Sequence, residues 1–296
     1  MKINPMLKKE IMVSVRGIRL TVIMLIFNIV LALIGLVVFY SILENAKWSG
    51  SIDYSATISL YCMLVVFQVI LLIFIVPALT AGSISGERER QTLDILLSSS
   101  LSPGKIIFGK LSSSLLSVLL LIFSSLPVMS LVFIFGGVEI TDVVVNILFL
   151  MYIAFLAGSI GISCSARFRK TGTATAMSYG VLLLIGLGTI LATVLLMIMY
   201  EWTNTGEWAR LLAALVLLVN PGTTLMEIIG NQITGEYFMQ ELFYSSSGLL
   251  YFVTSNWIPA SIITQILMVT LILRSAVRRV NPLSKGKPFK QGKPRQ

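Results

Sequence analysis

Four consecutive charges, Glu87-Arg88-Glu89-Arg90, stand in a chain of 296 residues of which only 12% are charged. Side chains of these types at this density can set the register of a protein–protein contact, because alternating signs penalise a misaligned partner. A second stretch has the outline of nucleotide chemistry. Gly104-Lys105-Ile106-Ile107-Phe108-Gly109-Lys110-Leu111 follows the phosphate-cradling pattern G-x-x-x-x-G-K-[ST] everywhere except its last position, where Leu111 replaces the hydroxyl that would hold Mg²⁺. No strand pattern precedes it and no apolar strand ending in Asp follows, so it reads as the opening of an apolar helix and not as an ATP site. Histidine is absent, which removes histidine zinc sites, Ser-His triads and histidine-dependent acyl transfer. Cys62 and Cys164 fall at opposite depths, too far apart for the roughly 4.4–6.8 Å Cα spacing of a disulfide. They read as small apolar fillers. No catalytic constellation emerges, and neither an enzymatic activity nor a cofactor or metal bound by this chain is expected.

The elements that must carry these residues are membrane helices. The chain is 56% hydrophobic with mean hydropathy +0.92, whereas soluble domains run at about 45–50% apolar and about 25% charged. Six charge-free runs, Leu20–Leu43, Tyr54–Gly86, Leu111–Val138, Val143–Ala166, Thr171–Tyr200 and Leu242–Leu273, each exceed the roughly 20 residues needed to cross the hydrocarbon core. A seventh, Leu211–Met226, is shorter and is interrupted by Asn220-Pro221-Gly222. Buried charges are how pumps and ion-coupled carriers move protons or ions, so spans without ionisable groups argue against both, and against intramembrane aspartyl proteolysis.

Charge asymmetry orients the chain. With the N-terminus inside, every Lys and Arg except Lys47 and Arg210 falls on the cytoplasmic side, while nine of the 13 acidic residues fall outside. This positive-inside bias accounts for the net charge of +9 without invoking nucleic acid. Counting Leu211–Met226 as a span would move the basic tail outside, so that run is expected to be re-entrant or interfacial. The N-terminal apolar run is too long for a signal-peptide core and no small-residue cleavage site follows it. The expected fold is therefore an all-α integral membrane protein of six transmembrane helices over residues 20–273, with both termini in the cytoplasm. Residues 1–19 form an amphipathic interfacial helix, since Ile11, Val15 and Ile18 share one face. Residues 201–257 form the extracellular part, rich in Trp and Tyr. Residues 274–296 form a basic cytoplasmic tail.

Within the spans, Gln68 and Gln265 are polar at mid-depth. They are read as interhelical hydrogen-bonding groups, with contact to a transported cargo as the second reading. Ala154, Ala157, Gly158 and Gly161 permit close helix approach in the fourth span, within one subunit in preference to a dimer seam.

Between the second and third spans, Ser85 is expected to cap a helix over 83–98, with Glu87 and Glu89 in its first turn. Leu93, Leu96 and Leu97 make one face; Glu87, Arg90, Gln91 and Asp94 lie along another, with Arg90 and Asp94 spaced i,i+4. Ser102 and Pro103 then start the next helix. The residues alone leave two readings: an interfacial loop with solvated charges, or a docking helix for a cytoplasmic partner.

The run Ala81–Lys110 resembles the first cytoplasmic loop of ABC-2-type permeases, the membrane subunits of type V ABC exporters. The matching positions are Ala81, Gly82, Ile84, Glu87, Arg88, Glu89, Thr92, Leu93, Leu96, Leu97, Leu101, Ser102, Ile106, Gly109 and Lys110. Asp94 stands where the family has Glu, and Ser100 where proline is common. The resemblance extends to the six-span layout and the Asn220-Pro221 turn.

It implies a docking helix that inserts Ser85, Glu87, Arg88, Glu89, Arg90, Gln91, Thr92, Leu93, Leu96 and Leu97 into a groove of an ATPase. It implies two such permeases, identical or paralogous, enclosing a path, and two ATPase subunits that bind the ATP and Mg²⁺. It also implies an outer gate around Asn220, Pro221 and Gly222, a cell-membrane location in a bacterium, and export. Walls free of ionisable groups suit an amphipathic cargo such as a drug, peptide or lipid. A non-transporting scaffold or sensor on the same fold is the alternative.

Overall fold

The computed structural model describes residues 17–49, 54–93, 102–135, 138–199, 207–235, 237–243 and 248–280. The interfacial helix expected over 1–19 and the tail expected over 274–296 lie mostly outside the described residues. So do Asp94, Leu96 and Leu97.

All elements among the described residues are helical. Six helices are long and apolar enough to cross a membrane: Leu20–Trp48, Ile58–Glu89, Pro103–Ser130, Ile140–Arg167, Thr171–Met199 and Trp257–Val280. These match the six charge-free runs. The first span is α1 (Ile18–Ser49); the second is α2 (Tyr54–Thr80), prolonged by α3 (Gly82–Glu89).

The third span breaks into α4 (Pro103–Ser124) and α5 (Leu126–Phe135) at Ser125. Pro127, which has no N–H to donate to the preceding turn, accounts for the break. Ser102 is the N-cap residue of α4 and Pro103 occupies its first turn, as the sequence predicts. The fourth span is α6 (Ile140–Arg167), started by a capping box in which the Glu139 N–H donates to Asp142 Oδ2 at 3.1 Å. The fifth is α7 (Thr171–Leu183), a π-turn (Leu184–Gly188) and α8 (Thr189–Met199).

Beyond the fifth span, α9 (Glu207–Leu217) and α10 (Pro221–Thr234) meet at a 97° bend around Asn220. Two short helices, α11 (Phe238–Leu242) and α12 (Gly248–Ser255), lead into the sixth span, α13 (Trp257–Val280).

The fourth span is the most enclosed of the six, packed against the second, third and sixth, while the first and fifth are the least buried. The core comprises side chains such as Leu72, Val76, Leu121, Ile153 and Ile160. A separate apolar cluster of Ala213, Leu217, Met239, Phe243, Leu250 and Trp257 holds the short helices together.

The fourth span's small residues serve this packing within one chain. A Cβ added to Gly161 would lie 1.9 Å from Thr80 Oγ1 and 3.0 Å from Thr80 Cβ, and one on Gly158 would meet Leu111 at 3.2 Å. Only glycine at 161 allows the end of the second span to lie this close to the fourth.

Polar side chains inside the bundle are paired across helices. Gln68 is buried; its amide donates to Ser125 Oγ at 2.8 Å and its Oε1 accepts from Asn146 Nδ2 at 3.4 Å. Gln265 is buried too; it donates to the Leu218 carbonyl at 2.9 Å and to Thr224 Oγ1 at 3.2 Å, and accepts from the Tyr152 hydroxyl at 2.5 Å. With no water in the hydrocarbon region, an unmade bond here costs several kcal/mol. Neither glutamine reaches the surface of the chain.

Candidate docking site at the basic end of the bundle

The second, third, fourth and fifth spans converge at one end of the bundle, where Arg88, Lys105, Lys110, Arg167, Arg169 and Lys170 gather. Here α3 packs on α6 and α7. Ser85 does not start a helix, as the sequence predicted. The helix of the second span runs on through it: Ser85 is buried, and its hydroxyl donates to the Ala81 carbonyl at 2.8 Å. The helix resumes because Ala81 donates to the Pro77 carbonyl at 2.8 Å, so the proline does not end it.

Of the helix expected over 83–98, residues 94–98 lie outside the described residues. The helix α3 stops at Glu89, with Arg90 as its C-cap residue. Gln91 takes a left-handed conformation, φ 58°. The Gln91 N–H donates to the Arg88 carbonyl at 3.2 Å and the Thr92 N–H to the Glu87 carbonyl at 2.9 Å, the paired bonds of a Schellman turn. The Thr92 hydroxyl adds a hydrogen bond to the Glu87 carboxylate. Leu93 then turns back into the apolar core.

Each of the three charges before this turn grips a different helix. Glu87 Oε1 pairs with Lys110 Nζ at 3.2 Å, and Lys110 is itself buried in the first turns of the third span. Arg88 donates from its two terminal nitrogens to the carbonyls of Phe168 and Ala166, at 3.2 and 3.3 Å. These carbonyls end the fourth span, where a cation also meets the negative end of the helix dipole. Glu89 accepts from the Thr171 N–H at 2.9 Å and from the Thr171 hydroxyl at 3.0 Å, so a carboxylate caps the positive end of the fifth span. Ser165 completes the assembly: its Oγ accepts from the N–H groups of Ile84 and Ser85 at 2.8 and 2.9 Å.

The mixed-sign face is therefore engaged largely within the chain. Arg90 and Gln91 are exposed at its tip, beside exposed Arg167, Arg169 and Lys170; the Arg167 guanidinium lies 5.9 Å from the Phe168 ring centroid.

Sequence reading missed Ser165 and Thr171, which carry no charge. It weighed Lys110 as part of a mock phosphate loop, although a lysine at the mouth of an apolar helix already signals a nearby carboxylate.

Midway along the fifth span, Asn220 is buried in the bend between α9 and α10. Its Oδ1 accepts from the Gly222 N–H at 2.8 Å, which caps α10 with Pro221 at its first position. Its Nδ2 donates to the Gly186 carbonyl and to Thr189 Oγ1, both at 2.9 Å, on the π-turn of the fifth span. Glu227, which the sequence placed among exterior acidic residues, is buried; its Oε2 accepts from the Met239 N–H at 2.8 Å.

Among the described residues no group of three or more His, Cys, Asp or Glu side chains is placed to hold a metal. No curated protein matches the chain. The family described as ABC-2 family transporter protein matches residues 5–278.

Proposed function

The chain belongs to the ABC-2 family of transporter proteins, a permease component of an ABC transporter, and on that premise we propose that it forms the translocation path of an exporter as a dimer. Two cytoplasmic ATPase subunits dock at the basic end and bind the ATP and Mg²⁺. The second permease is an identical or paralogous chain. The cargo is amphipathic, a drug, peptide or lipid-like molecule. The basic end faces the cytoplasm of a bacterial cell, with both termini on that side, and α9–α10 caps the exit as a re-entrant pair.

The observation that carries this reading is the end of α3. The second span extends as a helix beyond Thr80 and stops in a tight turn that leaves Arg90 and Gln91 exposed, while its base is fastened to three other spans. A protrusion built this way suits a soluble partner that must push on the membrane domain. The 97° bend supports the re-entrant reading. Eleven residues of α9 reach only about 16 Å along their axis, roughly half the hydrocarbon thickness. Charge-free runs such as Leu111–Val138 and Val143–Ala166 suit a wall that contacts apolar or weakly polar cargo.

Purification of the tagged protein from its native membrane in mild detergent, followed by mass spectrometry, tests the proposal. A stoichiometric ATPase is expected, together with either no other permease or one paralogue. A preparation free of ATPase with an ATP analogue present would favour the scaffold or sensor.

A further inference from the structure

We infer that Arg88 and Glu89 are positioning residues that carry displacement of the docked segment into the link between the fourth and fifth spans, and are not themselves contacts to the ATPase. The inference rests on the docking proposal above and names the residues that transmit within it.

Arg88 and Glu89 are adjacent on a helix, so their side chains leave it about 100° apart. That divergence lets them straddle a short connection. Arg88 holds the carbonyls at its start, Ala166 and Phe168; Glu89 holds the N–H and hydroxyl at its end, Thr171. Each grip has the sign that the helix terminus it touches prefers. Ser165 fixes the backbone of Ile84 and Ser85 from beneath. A movement of α3 thus pulls both ends of the link together, whereas a loose loop would absorb it. A residue that docks a partner must present its polar atoms outward. Arg88 and, although it is exposed, Glu89 spend theirs on bonds within the chain, whereas Arg90 and Gln91 stand exposed at the tip.

The test uses the full chain in complex with its co-purified ATPase. Cys62 and Cys164 are replaced by Ser, and Gly172→Cys serves as reporter, because position 172 is exposed with nothing within 4 Å of a Cβ built there. The rate of maleimide labelling is measured without nucleotide and after trapping with ATP and vanadate. The parent complex is expected to change its rate by a factor of roughly three or more, as two populated states exchange. Glu89→Ala is expected to abolish that change while the ATPase co-purifies in undiminished ratio. Arg88→Gln, on the other grip, should behave alike, and Glu89→Gln, whose amide oxygen still accepts from the Thr171 N–H, should restore most of the response.

Loss of the ATPase from the Glu89→Ala complex would make Glu89 a docking contact and overturn the inference. A retained response in that variant, or no response in the parent complex, would overturn it as well. A parent chain that brings down no ATPase would instead overturn the docking proposal on which it stands.

Discussion

Glu89 and Thr171, far apart in the chain, are joined by two hydrogen bonds: the Thr171 N–H and hydroxyl both donate to the Glu89 carboxylate, at 2.9 and 3.0 Å. Glu89 is exposed, so its removal leaves no cavity, and its structural worth is that of a helix cap. Glu89→Ala should lower stability by about 0.5–2 kcal/mol. Thr171→Val, which keeps the N–H and deletes the hydroxyl, should cost less. Thermal unfolding in detergent checks the order; equal losses for the two variants would refute the capping account.

The contact of Gly161 with Thr80 makes a sharper prediction. Gly161→Ala forces a methyl group against a short, buried side chain that donates to the Val76 carbonyl. Overpacking of this kind costs about 1–3 kcal/mol. Adding Thr80→Ala removes Oγ1, the nearest atom, and leaves Cβ at 3.0 Å, so the double variant should recover part of the loss. Additive losses would place the strain elsewhere.

Gln91 occupies a backbone region that glycine enters without penalty. Gln91→Gly should raise stability by about 1 kcal/mol, and Gln91→Val should lower it, because a β-branched side chain is strained there. Chemical denaturation in mixed micelles reads the sign. A neutral or destabilising glycine would show that the glutamine side chain makes an offsetting contact.

Asn220→Ala removes the acceptor for the Gly222 N–H and the donor to the Gly186 carbonyl and Thr189 hydroxyl. A loss of about 1–3 kcal/mol is expected for buried groups left unpaired. Asn220→Asp keeps the first bond but sets a carboxylate against the Gly186 carbonyl, so it should be no better tolerated than alanine. A fully stable aspartate variant would refute the geometry of this latch.

The six spans were legible because a membrane imposes a length and forbids charge, and both marks are written locally in runs such as Val143–Ala166. The start at Ser102-Pro103 was legible for the same reason: capping is a local signal. The end of the second span was not. Ser85 sits ahead of two glutamates, the usual sign of a helix start, yet its partner Ser165 is 80 positions away and no periodicity announces it. Arg88 and Glu89 were read as contacts to the ATPase, because their partners within the chain are backbone groups and an uncharged threonine, which leave no charge pattern in the sequence. The left-handed Gln91 was hidden as well, since the residue type usual at such a turn is glycine.

The π-turn at Leu184–Gly188 bears on how this chain can change in length over evolution. Each residue added to or deleted from a regular helix rotates everything beyond it by about 100°, and in a membrane span that would exchange lipid-facing and core-facing side chains. A π-turn absorbs one additional residue without that rotation. The fifth span therefore has one place, between Leu184 and Gly188, where a single-residue deletion leaves α7 and α8 facing as they do now. The same stretch holds the carbonyl that accepts from Asn220, so a change of length in this helix would be felt at a turn more than thirty residues further along the chain.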